Sequence, residues 1–158
     1  MTTIAYRDGI MASDSRAYSG DKHPIGDKHP IGAKLKIRRL EDGTLIGCSS
    51  TTPGGGEGVL DWYAAGRPAD KELCEHFTFM AAHANGEIFY ACDSKMLSGP
   101  LTAPYIAIGS GEAYAHGAMM MGATAVEAIR VACAAEPFTA LPIFAISHRR
   151  KKMWRVDE

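Results

Sequence analysis

No apolar run in this sequence approaches the roughly 20 residues needed to cross a bilayer. The opening MTTIAYRDGI lacks the basic-then-apolar pattern of a secretory signal. Cysteine is sparse: Cys48, Cys74, Cys92 and Cys133 form no CxxC pair and have no metal-type spacing. They read as reduced, mostly buried thiols of a cytoplasmic protein. Net charge is almost absent, at −1, so no global field draws the chain to nucleic acid or anionic membrane. What remains is an ordinary globular balance, 46% hydrophobic and 22% charged over 158 residues. That suits a single domain, residues 1–158, with a sizeable core.

Turn chemistry divides the chain. Residues 2–7 and 10–16 read as strands joined by Asp8-Gly9, since a two-residue hairpin turn needs positive φ at both central positions. Residues 17–34 are polar and rich in Gly and Pro, hence loop. Within them GDKHPI occurs twice in succession, at 20–25 and 26–31. Two copies are too few and too polar for a solenoid, and an exposed loop tolerates a tandem duplication cheaply. Residues 35–40 and 44–49 form a second hairpin across Glu41-Asp42-Gly43. A Gly-rich stretch at 53–56 leads to a helix over 57–65, stopped at Gly66 with Pro68 beyond. Residues 77–82 and 87–91 pair across Asn85-Gly86, and a strand over 105–108 runs into Gly109-Ser110-Gly111. Helices follow over 113–121 and, from the capping-box pair Thr124 and Glu127, to about residue 135. Met119-Met120-Met121 reads as core packing. Strands at 142–147 and 153–156 close the chain around the basic turn His148-Arg149-Arg150-Lys151-Lys152. Hairpins, then helices, then hairpins give an α+β layered domain.

Three residues stand out for chemistry. Thr2 follows Met1, and removal of Met1 exposes an α-amine with an unperturbed pKa of about 8. That amine takes the proton from the threonine's own hydroxyl and makes it a nucleophile. Asp14 lies just past an apolar strand, in Met11-Ala12-Ser13-Asp14. Lys36 alternates with Leu35 and Ile37, a pattern that turns it inward. A lysine beside the nucleophile stabilises its deprotonated form and lowers the amine's pKa, and an aspartate holds that lysine. Taken singly, the same residues have ordinary readings. Thr-Thr is a strand start, Asp14 caps a turn, Lys36 is a solvated strand lysine, and Gly109-Ser110-Gly111 is a loop before a helix. Repetition accounts for His23 and His29 without a metal. The basic turn reads as an exposed hairpin tip rather than a nucleic-acid contact.

In combination and in order, these segments resemble the family of proteasome β-subunits and HslV. The opening TTIAYRDGIMASDSRA is similar to the start of such subunits, with Thr at the mature N-terminus and an apolar strand ending in Asp. KIRRL resembles the segment that carries the family's lysine, and Ile106-Ala107-Ile108-Gly109-Ser110-Gly111 resembles its IGSG turn. Glu136-Pro137-Phe138-Thr139 occupies the place of its late Asp-x-x-Ser/Thr motif. Removing one GDKHPI copy shortens the Asp14–Lys36 interval from 22 positions to 16, about the interval usual in the family.

The resemblance implies a four-layer αββα sandwich of the N-terminal-nucleophile (Ntn) hydrolase type. One helical layer is reduced, because the segment between the first helix and Ser110 is short. It implies Thr2 as nucleophile with its own amine as base, Lys36 tuning both, and Asp14 positioning Lys36. Ser110, Glu136 and Thr139 complete the polar network, and the main-chain N–H of Ser50 is the candidate oxyanion donor. The implied reaction is amide hydrolysis through an ester on Thr2, on peptide or unfolded protein, with no metal or organic cofactor. Relatives are homo-oligomeric rings, often served by an ATP-dependent unfoldase. Three departures stand against this. Glu136 replaces the usual Asp, Ala140 and Leu141 replace two usual glycines, and an attached Met1 makes Thr2's nitrogen an amide. They leave open a non-catalytic proteasome-like subunit, or an Ntn amidase for a small molecule.

Overall fold

Two antiparallel five-stranded sheets stack face to face between helices in the computed structural model, which describes residues 2–19 and 29–158. The first sheet begins with β1 (Thr3–Arg7) and β2 (Ile10–Ser13), followed by a small separate pair, β3 (Arg16–Ser19) with β4 (His29–Ala33). The second sheet runs β5 (Ile37–Arg39), β6 (Leu45–Ser50), β7 (Phe77–Ala82), β8 (Ile88–Cys92) and β9 (Ser98–Leu101) in that order, with α1 (Gly55–Ala64) inserted after β6. The chain then returns to the first sheet through β10 (Tyr105–Gly109), crosses α2 (Glu112–Met120) and α3 (Ala125–Ala135), and ends in β11 (Ile143–Ser147) and β12 (Trp154–Val156). The first sheet's order is therefore β10-β1-β2-β11-β12.

Period-2 alternation sorts the side chains into layers. On β1, Ile4 and Tyr6 face the second sheet, where they meet Ile37, Leu45 and Met80. Ala5 points the other way, into an alanine-rich seam with Ala115, Ala128 and Ala132 of α2 and α3. On β7 the same alternation gives Met80 and Ala82 to the inter-sheet core and Phe77, Phe79 and Ala81 to α1, against Val59, Leu60 and Trp62. Two helices thus cover the first sheet and α1 alone covers the second. This is the four-layer αββα sandwich with a reduced helical layer that the sequence implied.

The local signals act as expected in several places. Asp8 and Gly9 take φ of 51° and 76°, the pair of positive values that a tight hairpin between right-twisted strands requires. Thr124 and Glu127 form both halves of a capping box on α3. Other expectations need correction. The strand expected over 10–16 stops at Ser13, because Asp14 turns its carboxylate to the N–H groups of Thr3 and Arg16. The expected loop over 17–34 contains β3 and β4. The repeat's first copy lies outside the described residues, whereas His29, Pro30 and Ile31 of the second fall on β4. Met119 is buried, but Met120 and Met121 are 67% and 89% exposed and do not pack in the core. Of the four free cysteines only Cys48 is buried, and Cys92 is exposed. Among the described residues, no helix is long and apolar enough to cross a membrane.

Candidate active site

The N-terminal end of β1 is clamped from three sides. Asp14, just past β2, accepts the Thr3 N–H through Oδ1 at 2.9 Å and donates its own N–H to the Thr3 carbonyl at 3.1 Å. From β10, the Ser110 N–H donates to the Thr2 carbonyl at 2.8 Å. Gly109 makes that approach possible: its φ is +101°, and a Cβ there would overlap the Thr2 carbonyl oxygen. Two residues on, Gly111 donates its N–H to Thr3 Oγ1 at 3.0 Å, in a space that a side chain would fill.

Asp14 also holds Lys36, which immediately precedes β5. Lys36 Nζ lies 2.9 Å from Oδ1 and 3.0 Å from Oδ2, and both side chains are buried, at 1% and 0% exposure. Lys36 Nζ and the Thr3 N–H therefore share one carboxylate oxygen. Burial depresses the lysine's pKa, and the charge and hydrogen bonds of Asp14 oppose that shift without cancelling it. The ammonium is thus easier to deprotonate than a solvated one.

A second network lies on the α2/α3 side of β1. Glu136, at the end of α3, collects three donors on Oε2: Thr139 Oγ1 at 2.7 Å, Ser110 Oγ at 3.1 Å and the Phe138 N–H at 3.1 Å. Thr139's hydroxyl proton is committed to Glu136, so in the 2.6 Å contact between Thr3 Oγ1 and Thr139 Oγ1 it is Thr3 that donates. The extra methylene of Glu136 is accommodated. So are Ala140 and Leu141 in place of glycines, since neither takes positive φ. Ala140 instead offers its N–H to Asp14 Oδ2 at 3.4 Å and its carbonyl to the Ser15 N–H at 3.3 Å.

Ser50 closes β6. The Cys48 N–H bonds the Lys36 carbonyl at 3.2 Å, and residues two apart on a strand direct their N–H groups to the same edge. The Ser50 N–H therefore points along the β5 edge, beyond the last pairing with that strand. Ser50 and Ser110 line one cleft of about 360 Å³. A larger cavity of about 600 Å³, walled by Tyr63, His83 and Phe89, lies at the opposite end of β7 and touches none of these residues.

The structure thus brings Thr2, Asp14, Lys36, Ser110, Glu136 and Thr139 into one connected hydrogen-bonded region, with Ser50 across the cleft. Met1 lies outside the described residues. Sequence reasoning missed Thr3, which joins the two networks. Its signal was there: alternation along Thr2-Thr3-Ile4-Ala5 turns Thr3 to the helix side with Ala5, where the Gly111 and Thr139 segments arrive.

Solved structures with this architecture span nearly the whole chain. Anbu (ancestral beta-subunit) from Yersinia bercovieri matches with a TM-score of 0.67 and 12% identity, covering 100% of this chain and 88% of that one. Thiobacillus denitrificans BPH in complex with Epoxomicin matches with a TM-score of 0.62 and 15% identity over 99% of both chains. HslV from Trypanosoma brucei matches with a TM-score of 0.59 and 16% identity, covering 94% and 100%. The chain has the proteasome-like fold. No protein-family model matches the sequence, and neither does any curated protein. At these identities the likeness establishes the fold, and the chemistry must be argued from the residues.

Proposed function

We propose that this chain is a threonine-type peptidase of the proteasome β-subunit and HslV kind, with Thr2 as nucleophile once Met1 is removed. The observation that carries the reading is the buried Asp14–Lys36 pair sharing an oxygen with the N–H of Thr3, the residue next to Thr2. A fully desolvated ion pair is weak evidence for stability, since removing two charges from water costs more than most geometries return. Its position beside a chain end with a hydroxyl gives it a chemical use. Continued one residue beyond the start of β1, the alternation that turns Ile4 and Tyr6 inward also turns Thr2 toward the second sheet, the side of Lys36 and Ser50.

The steps follow. Thr2 Oγ1 attacks the scissile carbonyl carbon while the free α-amine takes its proton. The Lys36 ammonium lowers that amine's pKa and favours the alkoxide. The Ser50 N–H donates to the developing oxyanion. Collapse breaks the C–N bond, the leaving amine takes the proton from the α-ammonium, and an ester on Thr2 remains. Water, deprotonated by the same amine, hydrolyses the ester. Assembly into a homo-oligomer, a ring as in the family it resembles, and service by an ATP-dependent unfoldase belong to the same proposal, as does a cytoplasmic setting.

Intact mass and peptide hydrolysis test it. Active protein should begin at Thr2, and epoxomicin, bound in the BPH structure, should add its mass to that species alone. Hydrolysis that persists in Thr2→Ala, or that belongs only to chains keeping Met1, would overturn the reading.

A further inference from the structure

The cleft between Ser50 and Ser110 carries a charge that the steps above leave unused. It is also lined by His76, Cys92, Asp93 and Glu112. Glu112 is exposed in the first turn of α2. Asp93 spends Oδ1 on the Phe77 N–H at 2.8 Å, while Oδ2 lies 3.8 Å from the imidazole of His76. Among the described residues, no lysine or arginine lines the cleft. The nearby lysines are directed elsewhere, Lys36 to Asp14 and Lys34 to Glu57. The Tyr90 phenol reports the same field: its pKa is raised first by burial, then by Cys92, and further by Glu112 and Asp93. Two carboxylates lining one cleft add their potentials at a cation that enters it.

We propose that this cleft receives a lysine or arginine side chain of the substrate, adjacent to the bond cleaved, through Glu112 and Oδ2 of Asp93. The assignment rests on the peptidase reading and names its substrate preference. The cationic end of such a side chain reaches the carboxylates at the mouth of the cleft. An acidic side chain in the same place meets two like charges and loses binding.

A labelled Ala/Arg peptide and its Ala/Glu twin separate the outcomes, with anisotropy for binding and mass spectrometry for cleavage on Met1-free protein. The Arg peptide should bind about tenfold tighter at low salt, and the advantage should shrink when the ionic strength is raised to about 1 M. Glu112→Gln should reduce it to a few-fold. Asp93→Asn, which keeps an amide oxygen for the Phe77 N–H, should do the same without unfolding. Equal binding of the twins, no binding of either, or a preference untouched by both variants would overturn the cleft assignment. Binding preference without cleavage would keep the assignment and sink the peptidase reading. Cleavage without preference would do the reverse.

Discussion

The two sides of β1 hold buried charge in different ways. Toward the second sheet, Asp14 is balanced by a cation, Lys36, and the pair excludes water. Toward α2 and α3, Glu136 is described with no cation; three neutral donors, two hydroxyls and an N–H, gather on one oxygen. The first arrangement sets one cation among the N–H groups of Thr3, Arg16 and Ala140, whereas the second is built from neutral donors throughout. The lesson is one of fragility: deleting Lys36 removes the only countercharge described at Asp14 and leaves it neutral N–H donors, while deleting one hydroxyl leaves Glu136 two of its three donors.

Lys36→Ala is the harshest way to break this contrast. It leaves the Asp14 carboxylate buried without its cation, a loss of about 3–5 kcal/mol for a pair of this kind. Urea unfolding should show that loss, and peptide hydrolysis should vanish even below the unfolding transition. Lys36→Ala with Asp14→Asn should recover much of the stability and none of the hydrolysis. Thr139→Val should cost less, about 1–3 kcal/mol, although it takes a donor from Glu136 and the acceptor from the Thr3 hydroxyl, because it leaves no charge without its countercharge. Thr139→Ser should restore most of that loss in the same unfolding measurement.

The depressed lysine predicts a pH dependence. Between its folded pKa and its ordinary value of 10.5, the unfolded chain binds more protons than the folded one. Stability from this group therefore rises with pH across that window and is flat below it. The stability difference between the parent protein and Lys36→Met, followed by unfolding from pH 8 upward, should change in that direction. A difference that falls through the alkaline range would contradict a depressed Lys36.

The gentlest perturbation is deletion of residues 26–31. The chain then joins His23-Pro24-Ile25 to Gly32-Ala33 and regenerates HPIGA, the β4 sequence. Closure entropy changes only logarithmically with loop length, so stability should move by less than about 1 kcal/mol. Hydrolysis and sedimentation should stay unchanged. Loss of activity in an intact fold would give the repeat a role in the cleft, and loss of assembly would give it one at an interface.

The sequence was legible where one residue decides a conformation or a face. Asp8-Gly9 announced its turn, Thr124 and Glu127 their cap, and the alternation of Ile4, Ala5 and Tyr6 the two faces of β1. The strands it hid lack such signals. β9 contains Gly99 and Pro100 and is mostly exposed, an edge strand with few side chains in the core. Among the described residues β3 and β4 pair only with each other, so no alternating apolar face betrays them. In the candidate site, Asp14, Lys36 and Glu136 could be chosen by residue type, and Thr3 could not. Its importance comes from four hydrogen bonds to three distant segments.

Chain ends ordinarily fray, because few contacts offset the freedom of the last residues. Here Thr3 is fixed at its N–H, its carbonyl and its hydroxyl, and Thr2 at its carbonyl. An amine freed at Thr2 would project from a backbone already immobilised, with little more than its own side-chain rotation left to settle. The entropy of aligning base and nucleophile is then lost during folding rather than at the moment of reaction. Such pre-alignment gives intramolecular groups effective concentrations far above any attainable in solution, of order 10⁵ M or more in well-oriented systems. On that view the residue behind the proposed nucleophile acts as its mount.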